Sequence, residues 1–188
     1  MGKLVVTEFI TLDGVIENPP GWSFDFSTGD EGQEYKGTEL KTADAQLLGR
    51  ITYQHFAQAW PSMEGTGWFG EKMNGMPKYV VSTTLKDEDA TWNNSTVIRS
   101  DIEGHVKKLK KEVDGDILVA GSANLIQTLA KHNLVDEYHL MVYPIVLGGG
   151  KRLFQEGLPR TDLKLVDTQH VGPDGVTILT YRAKPVSA

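Results

Sequence analysis

The chain has 188 residues, 39% of them hydrophobic and 23% charged, which is enough for one domain with a core of its own. Nineteen basic against 25 acidic residues give a net charge of −6, so no basic footprint recommends a nucleic-acid partner, and no apolar run reaches the length of a membrane span. Cysteine is absent, which removes disulfides, thiolate nucleophiles and cysteine metal sites; with Glu8 interrupting any signal-peptide core, a cytoplasmic protein is expected.

Lys3 to Ile10 is rich in Val, Ile and Phe and reads as the first strand. Thr11-Leu-Asp-Gly14 turns the chain, and the Asn18–Trp22 segment is a loop by its turn residues. A helix is expected from Glu31 to about Leu40, weakened by Gly32 and Gly37. Ala45 to Leu48 reads as a short buried strand ending in Gly49-Arg50. Thr52 to Trp60 then reads as a helix, with Tyr53, Phe56, Ala57 and Trp60 on one face. Glu64 to Gly75 reads as a glycine-rich loop with room for one helical turn. Pro77 to Ser82 is a strand, and Val97 and Ile98 make another. Ser100 and Glu103 form a capping-box pattern that opens a helix bearing Ile102, Val106, Leu109 and Val113.

The most informative stretch runs from Asp116 to Lys131. Ile117 to Ala120 is a continuous apolar run, as in a parallel strand covered on both faces. Gly121 breaks the run, Ser122 is placed to cap a helix, and Leu125, Ile126, Leu129 and Ala130 give that helix one apolar face. Its N-terminus leaves unpaired N–H groups beside the strand's carboxyl end, an arrangement that suits phosphate. Val135 to Pro144 is a long strand, and Leu147 to Phe154 a flexible loop. Leu163–His170 and Val176–Arg182 form an antiparallel hairpin around Pro173-Asp174-Gly175. Strands alternating with helices predict an α/β domain over residues 1–188, with a mostly parallel central sheet flanked by helices and an antiparallel C-terminal hairpin.

Several familiar motifs are missing. Gly148 to Lys151 is not a phosphate loop, because Ile145 stands where that pattern needs glycine, and no GxGxxG follows the first strand. The five histidines lack metalloprotease spacing, no serine sits in a GxSxG elbow, and no metal site is expected. What recurs instead is polar chemistry at strand ends: Gly49-Arg50, Ser82-Thr83-Thr84, and Ala120-Gly121-Ser122-Ala123. In an open α/β sheet ligands collect outside the carboxyl ends of strands. A guanidinium, a hydroxyl cluster and an amide-lined helix start suit a molecule with several phosphates.

Taken in order, Thr11-Leu-Asp-Gly14, Leu47-Leu-Gly-Arg-Ile-Thr-Tyr53, Lys78-Tyr-Val-Val-Ser82, Val119-Ala-Gly-Ser122, Leu134-Val-Asp-Glu-Tyr138 and Pro144 to Phe154 resemble the dihydrofolate reductase superfamily. Within it the chain is most similar to the C-terminal reductase domain of the bacterial riboflavin-biosynthesis deaminase/reductase. The resemblance spans Lys3 to about Tyr181 and implies an NADPH-dependent reductase of dihydrofolate-reductase-like fold, acting on a small molecule and associating as a homodimer. It implies that the backbones of Phe9 and Ile16 hold the nicotinamide carboxamide. Arg50 and Thr52, after Gly49, match the helix start that takes the 2′-phosphate and pyrophosphate. Thr83 and Thr84, bordered by Ser82, match hydroxyls near the adenosine phosphate. Gly121, Ser122, Ala123 and Asn124 match the turn beneath the pyrophosphate.

The chain also departs from its relatives. The usual Gly-Gly pair is Gly121-Ser122, and Ala120 replaces a glutamate typical of the riboflavin-pathway reductases. In dihydrofolate reductases a carboxylate on the first helix binds the pterin; Asp30, Glu31 and Glu34 lie near that place. Asp30 and Glu34 are the candidate catalytic residues, with Asp13 and Lys151 as further proton-donor candidates. The leading expectation is an NADPH-dependent reductase of a heterocyclic or carbonyl substrate. Its alternatives are the riboflavin-pathway reductase of 5-amino-6-(5-phosphoribosylamino)uracil and a nucleotide-binding protein without catalysis.

Overall fold

The computed structural model describes residues 1–184; the last four residues of the expected 1–188 domain lie outside the described residues. Eight strands form one sheet: β1 (Leu4–Thr11), β2 (Ala43–Gly49), β3 (Lys78–Val81), β4 (Ser95–Ile98), β5 (Asp116–Val119), β6 (Glu137–Tyr143), β7 (Leu163–Val171) and β8 (Val176–Ala183), in the order β4-β3-β2-β5-β1-β6-β8-β7. The six strands from β4 to β6 are parallel, and β8 joins β6 antiparallel and carries β7 as its hairpin partner. The expected α/β architecture with a terminal antiparallel hairpin is therefore present.

Among the described residues five α-helices cover the sheet: α1 (Gly29–Thr42), α2 (Arg50–Ala59), α3 (Gly67–Gly75), α4 (Ile102–Glu112) and α5 (Ala123–Lys131). Alternation along the strands divides the core in two. Leu4, Val6, Leu47, Ile117 and Val119 pack against Val106 and Leu109 of α4 and Leu125, Ile126 and Leu129 of α5. Val5, Leu48, Val80 and Leu118 face Leu40 of α1, Tyr53 of α2 and Met73 of α3. Both faces of the parallel strands are thus buried, as their continuous apolar runs require. Burying Leu125, Ile126 and Leu129 contributes roughly 2 kcal/mol apiece before entropy is counted. That burial fixes where the α5 N-terminus points.

Three elements differ from the sequence expectation. The 64–75 stretch is not a loop: α3 occupies most of it despite Gly67, Gly70 and Gly75. Its support is tertiary, from Phe69 stacked on Trp60 at 5.6 Å, Met73 buried beneath Gln46, and Lys72 donating to the Lys41 carbonyl at 2.9 Å. The cap of α4 is Asp101, whose carboxylate accepts from Gly104 N at 3.1 Å, rather than Ser100. Asp101 takes left-handed dihedrals there (φ 47°), which Asp tolerates better than most side chains. The 147–154 segment is tied down rather than free. Ile16 N donates to Lys151 O at 2.9 Å, Leu153 N donates to Gly14 O at 2.9 Å, and Leu153 is fully buried.

Candidate functional site

A gap opens in the sheet between β1 and β5. The two strands pair only from Leu4 opposite Ile117 to Val6 opposite Val119, whereas β1 runs on beside β6 as far as Thr11. Beyond Val6 the β5-facing edge of β1 has no strand partner among the described pairings. The chain after β5 turns instead into α5 through Ala120-Gly121-Ser122, with Gly121 at φ 93° and the Gly121–Ser122 peptide cis. Such a φ suits glycine and few other residues.

The turn is packed tightly against the end of β2. Gly49 N donates to Gly121 O at 3.1 Å, and a Cβ on Gly49 would lie 2.9 Å from the Ser122 Cβ and 3.0 Å from its nitrogen. A Cβ on Gly121 would meet Thr52 Oγ1 at 2.8 Å. Glycine at both positions therefore lets two backbone segments close on one another. The first N–H groups of α5 have no carbonyl four residues before them within the helix, and they open beside this contact. Ser122 is the cap residue in extended conformation, and its side chain makes no capping bond. Ala123 is buried and Asn124 is exposed.

Arg50 opens α2 directly after Gly49. Its guanidinium is partly exposed and bonds only Gln54 Oε1, at 3.1 Å, among the described residues. Thr52, two residues on, faces Gly121. The structure thus brings Gly49, Arg50, Thr52, Gly121 and Ser122 together. Ser82 follows β3, but its hydroxyl is engaged locally: it accepts from Leu85 N at 2.9 Å and Thr84 N at 3.1 Å and fixes the turn. Thr83 and Thr84 are exposed on that turn. Phe9 lies on the free stretch of β1, and Ile16 is buried after the turn that follows it.

Asp13 shapes this turn. It accepts from Thr11 Oγ1 at 2.6 Å, Gly148 N at 2.8 Å and Leu147 N at 3.2 Å. The Thr11 hydroxyl, then the Gly148 amide, pull its carboxyl down to about 2, so it holds no proton to give near neutral pH. Lys151 is exposed.

On the opposite face of β1 the structure assembles a polar network that sequence reasoning missed. Thr7 Oγ1 donates to Glu39 Oε2 at 2.9 Å and accepts from Lys36 Nζ at 2.8 Å. Lys36 also pairs with Glu39 Oε2, while His139 Nδ1 stands 2.9 Å from Glu39 Oε1. Burial would raise the Glu39 carboxyl, but Lys36 and His139 outweigh it and hold it at about 2. Asp30 and Glu34, the candidates on the same helix, are exposed; α1 turns Lys36 and Glu39 to the sheet instead. The only local trace was the i,i+3 pair Lys36 and Glu39 on α1; their partners Thr7 and His139 face each other across β1 and β6 and lie far off in the chain. Phe9, Trp22, Phe26, Tyr35 and Tyr143 pack beside the network as an aromatic wall, with Trp22 and Phe26 edge-on to Tyr143.

Glu8 was also missed. It falls in register with Leu4, Val6 and Ile10, the strand positions that face α5, yet it is a carboxylic acid and 7% exposed. Burial pushes it well above the usual carboxylate range; the Lys36 charge pulls it back and Glu39 adds to the rise. A separate cavity of about 260 Å³, lined by Ala130, Tyr138, Phe154 and Leu158, lies near the start of β6, away from the strand ends that form the gap.

A parallel sheet split beside β1, a glycine turn leading into a helix, and a terminal hairpin define a fold of the dihydrofolate reductase type. The chain overlays on dihydrofolate reductase from Enterococcus faecalis complexed with NADP(H) with a TM-score of 0.61 at 16% identity, over 97% of this chain and 96% of the other. The chain belongs to the RibD C-terminal domain family, whose model matches residues 2–177. It is similar to a putative riboflavin biosynthesis protein from Shewanella sp. PV-4, with a TM-score of 0.78 at 20% identity, covering 97% of this chain and 99% of that one. It is 33% identical over 182 residues to the uncharacterized protein YyaP of Bacillus subtilis (strain 168), covering 95% of this chain and 94% of that protein.

Proposed function

We propose that this protein is an NADPH-dependent reductase of a small heterocyclic or carbonyl compound. The observation that carries this reading is the gap between β1 and β5, floored by the Gly49/Gly121 contact and opening onto the N-terminus of α5. The turn suits a pyrophosphate: glycine at both positions lets the two backbone segments close into its floor, and the free amides and helix dipole favour negative charge. Arg50 would hold a 2′-phosphate through parallel hydrogen bonds, and Thr52 would offer a hydroxyl beside the turn. The backbones of Phe9 and Ile16 flank the place left for the nicotinamide end, with Ala123 and Asn124 at the helix start. Ser82, Thr83 and Thr84 border the adenosine side. A nicotinamide cofactor bound there would supply hydride.

The chain's own contribution is binding, orientation and exclusion of water. The aromatic wall of Phe9, Trp22, Phe26 and Tyr143 packs with Met141 of β6 and Ile178 of β8, which keeps the β6 side of β1 dry. Lys36 Nζ, held against Thr7 Oγ1, places a cation next to the free edge of β1, and the His139 ring borders the same network through Glu39. A second reading, reduction of the ribosylaminopyrimidine of riboflavin biosynthesis, is favoured by the family match. Ala120, where that pathway's reductases carry glutamate, speaks against it.

The test is a screen of pteridines, ribosylaminopyrimidines, quinones and simple carbonyls for consumption of NADPH by its absorbance. Turnover with one class supports the reductase and names its acceptor. Saturable NADPH binding without turnover on any class would point to a nucleotide-binding protein instead.

A further inference from the structure

We propose that Glu8 reads the uncharged end of the dinucleotide, its carboxyl group pairing side by side with a primary carboxamide on the ligand's ring. This rests on the reading of the gap as a dinucleotide site.

The first observation is an unmet hydrogen bond. Among the described residues Glu8 Oε1 is the one buried side-chain oxygen or nitrogen without a partner. Other buried polar side chains are bonded: Thr7 to Glu39, Glu39 to His139, Thr11 to Asp13, and Gln127 to the Leu153 carbonyl. Leaving a buried acceptor unmet costs about 1–3 kcal/mol, a cost that a ligand atom would remove. The second observation is place. Glu8 lies on β1 past the last residue paired with β5, so it borders the gap. Its Oε1 would stand 3.7 Å from a Cβ on Gly121, whose other neighbour is Thr52 Oγ1 at 2.8 Å.

Chemistry narrows the partner. Arg50 and the α5 amides favour anions, whereas an acid at Glu8 would repel a phosphate if ionised and offer it one donor if not. Glu8 therefore belongs to the part of the ligand that carries no phosphate. Burial favours its neutral form. A neutral carboxyl presents one donor and one acceptor side by side, the complement of a primary amide. Backbone groups of β1 could hold such an amide without Glu8; the side chain adds discrimination by the –NH2 group.

The experiment is calorimetric titration of wild type, Glu8→Ala and Glu8→Gln with NADPH and with 2′-phospho-ADP-ribose, which lacks the nicotinamide. Glu8→Ala should weaken NADPH by about 10- to 100-fold and leave 2′-phospho-ADP-ribose unchanged, while Glu8→Gln, which keeps a donor and an acceptor, should restore most of the loss. Should Glu8→Ala fail to fold, Glu8→Leu, apolar and of similar size, takes its place, and wild type is also titrated with the 3-acetylpyridine analogue of NADPH, which keeps the carbonyl and lacks the –NH2. That analogue should bind about 10-fold more weakly than NADPH. Equal binding of the two dinucleotides, an equal loss for dinucleotide and fragment in Glu8→Ala, or no loss in that variant overturns the role of Glu8 while the cofactor reading stands. Wild type binding neither NADPH nor the fragment overturns both.

Discussion

Gly49 and Ser122 meet at the carboxyl end of the sheet with no room between them: a Cβ on Gly49 would sit 2.9 Å from the Cβ of Ser122. Gly49 has φ −74° and ψ 155°, which any residue adopts, so the requirement for glycine is steric and not conformational. Gly49→Ala should therefore destabilise the fold by about 1–3 kcal/mol through overpacking. Urea unfolding of Gly49→Ala and of the double variant Gly49→Ala/Ser122→Gly checks this. The second change removes the obstructing side chain and should recover most of the loss. An unaltered midpoint in the single variant would show that the two segments move apart freely.

Glu39 makes stability depend on acid. Its carboxyl is held at about 2 in the folded protein, below the ordinary 4.5 of an unfolded glutamate. The unfolded chain thus binds the extra proton first. The stabilisation is fully present above about pH 4.5 and is lost as pH falls toward 2. Glu39→Gln should flatten that part of the stability profile and lower stability at neutral pH, because Lys36 and His139 lose their anion. Denaturant midpoints taken from pH 2 to pH 7 measure it. Parallel profiles for variant and wild type would contradict the assignment.

Dihydrofolate should be a poor substrate. The exposed carboxylates of α1, Asp30, Glu31 and Glu34, do not face the sheet, and the buried one, Glu39, is already bonded to Thr7, Lys36 and His139. No free carboxylate of that helix remains to pair with a pterin ring. Turnover of dihydrofolate at a rate on the order of 10 per second, ordinary for an enzyme, would refute this.

We expect a homodimer joined through the β7 side of the sheet. β7 is the last strand, its outer edge has no strand partner among the described residues, and Leu165 and Val166 are 49% and 46% exposed. An open, partly apolar edge is a template for a second chain. Sedimentation should give twice the 20.8 kDa of one chain, and Val166→Glu should shift it toward one. A wild-type monomer at micromolar concentration would reject the interface.

The parts of this fold that were legible in the sequence are those where local pattern and tertiary environment agree. Ile117 to Ala120, Gly121 and the apolar face of α5 form such a unit. The terminal hairpin, marked by Pro173-Asp174-Gly175, is another. α3 was illegible because its glycines oppose helix locally and its support, Phe69 on Trp60 and Met73 under Gln46, comes from distant residues. The cluster of Gly49, Arg50 and the Gly121-Ser122 turn could be read because glycine, arginine and a helix start are local signals. The α1 network could not, since Thr7, Glu39 and His139 lie far apart in the chain and meet only once β1 and β6 pair beneath α1. Glu8 left one trace, an acid at a strand position where Leu4, Val6 and Ile10 predict an apolar side chain. Only the opening of the sheet beyond Val6 gives it a meaning.

The central claim is a dinucleotide site selective for NADPH, and one titration tests it most directly. Fluorescence titration of wild type and Arg50→Ala with NADPH and NADH should show saturable NADPH binding in wild type, within the ~1 μM to 1 mM range usual for enzyme ligands. Arg50→Ala should lose about 10- to 100-fold for NADPH and much less for NADH, which lacks the 2′-phosphate. An equal loss for both would move Arg50 to the shared pyrophosphate or to support of the fold, and no saturable binding of either nucleotide would contradict the account.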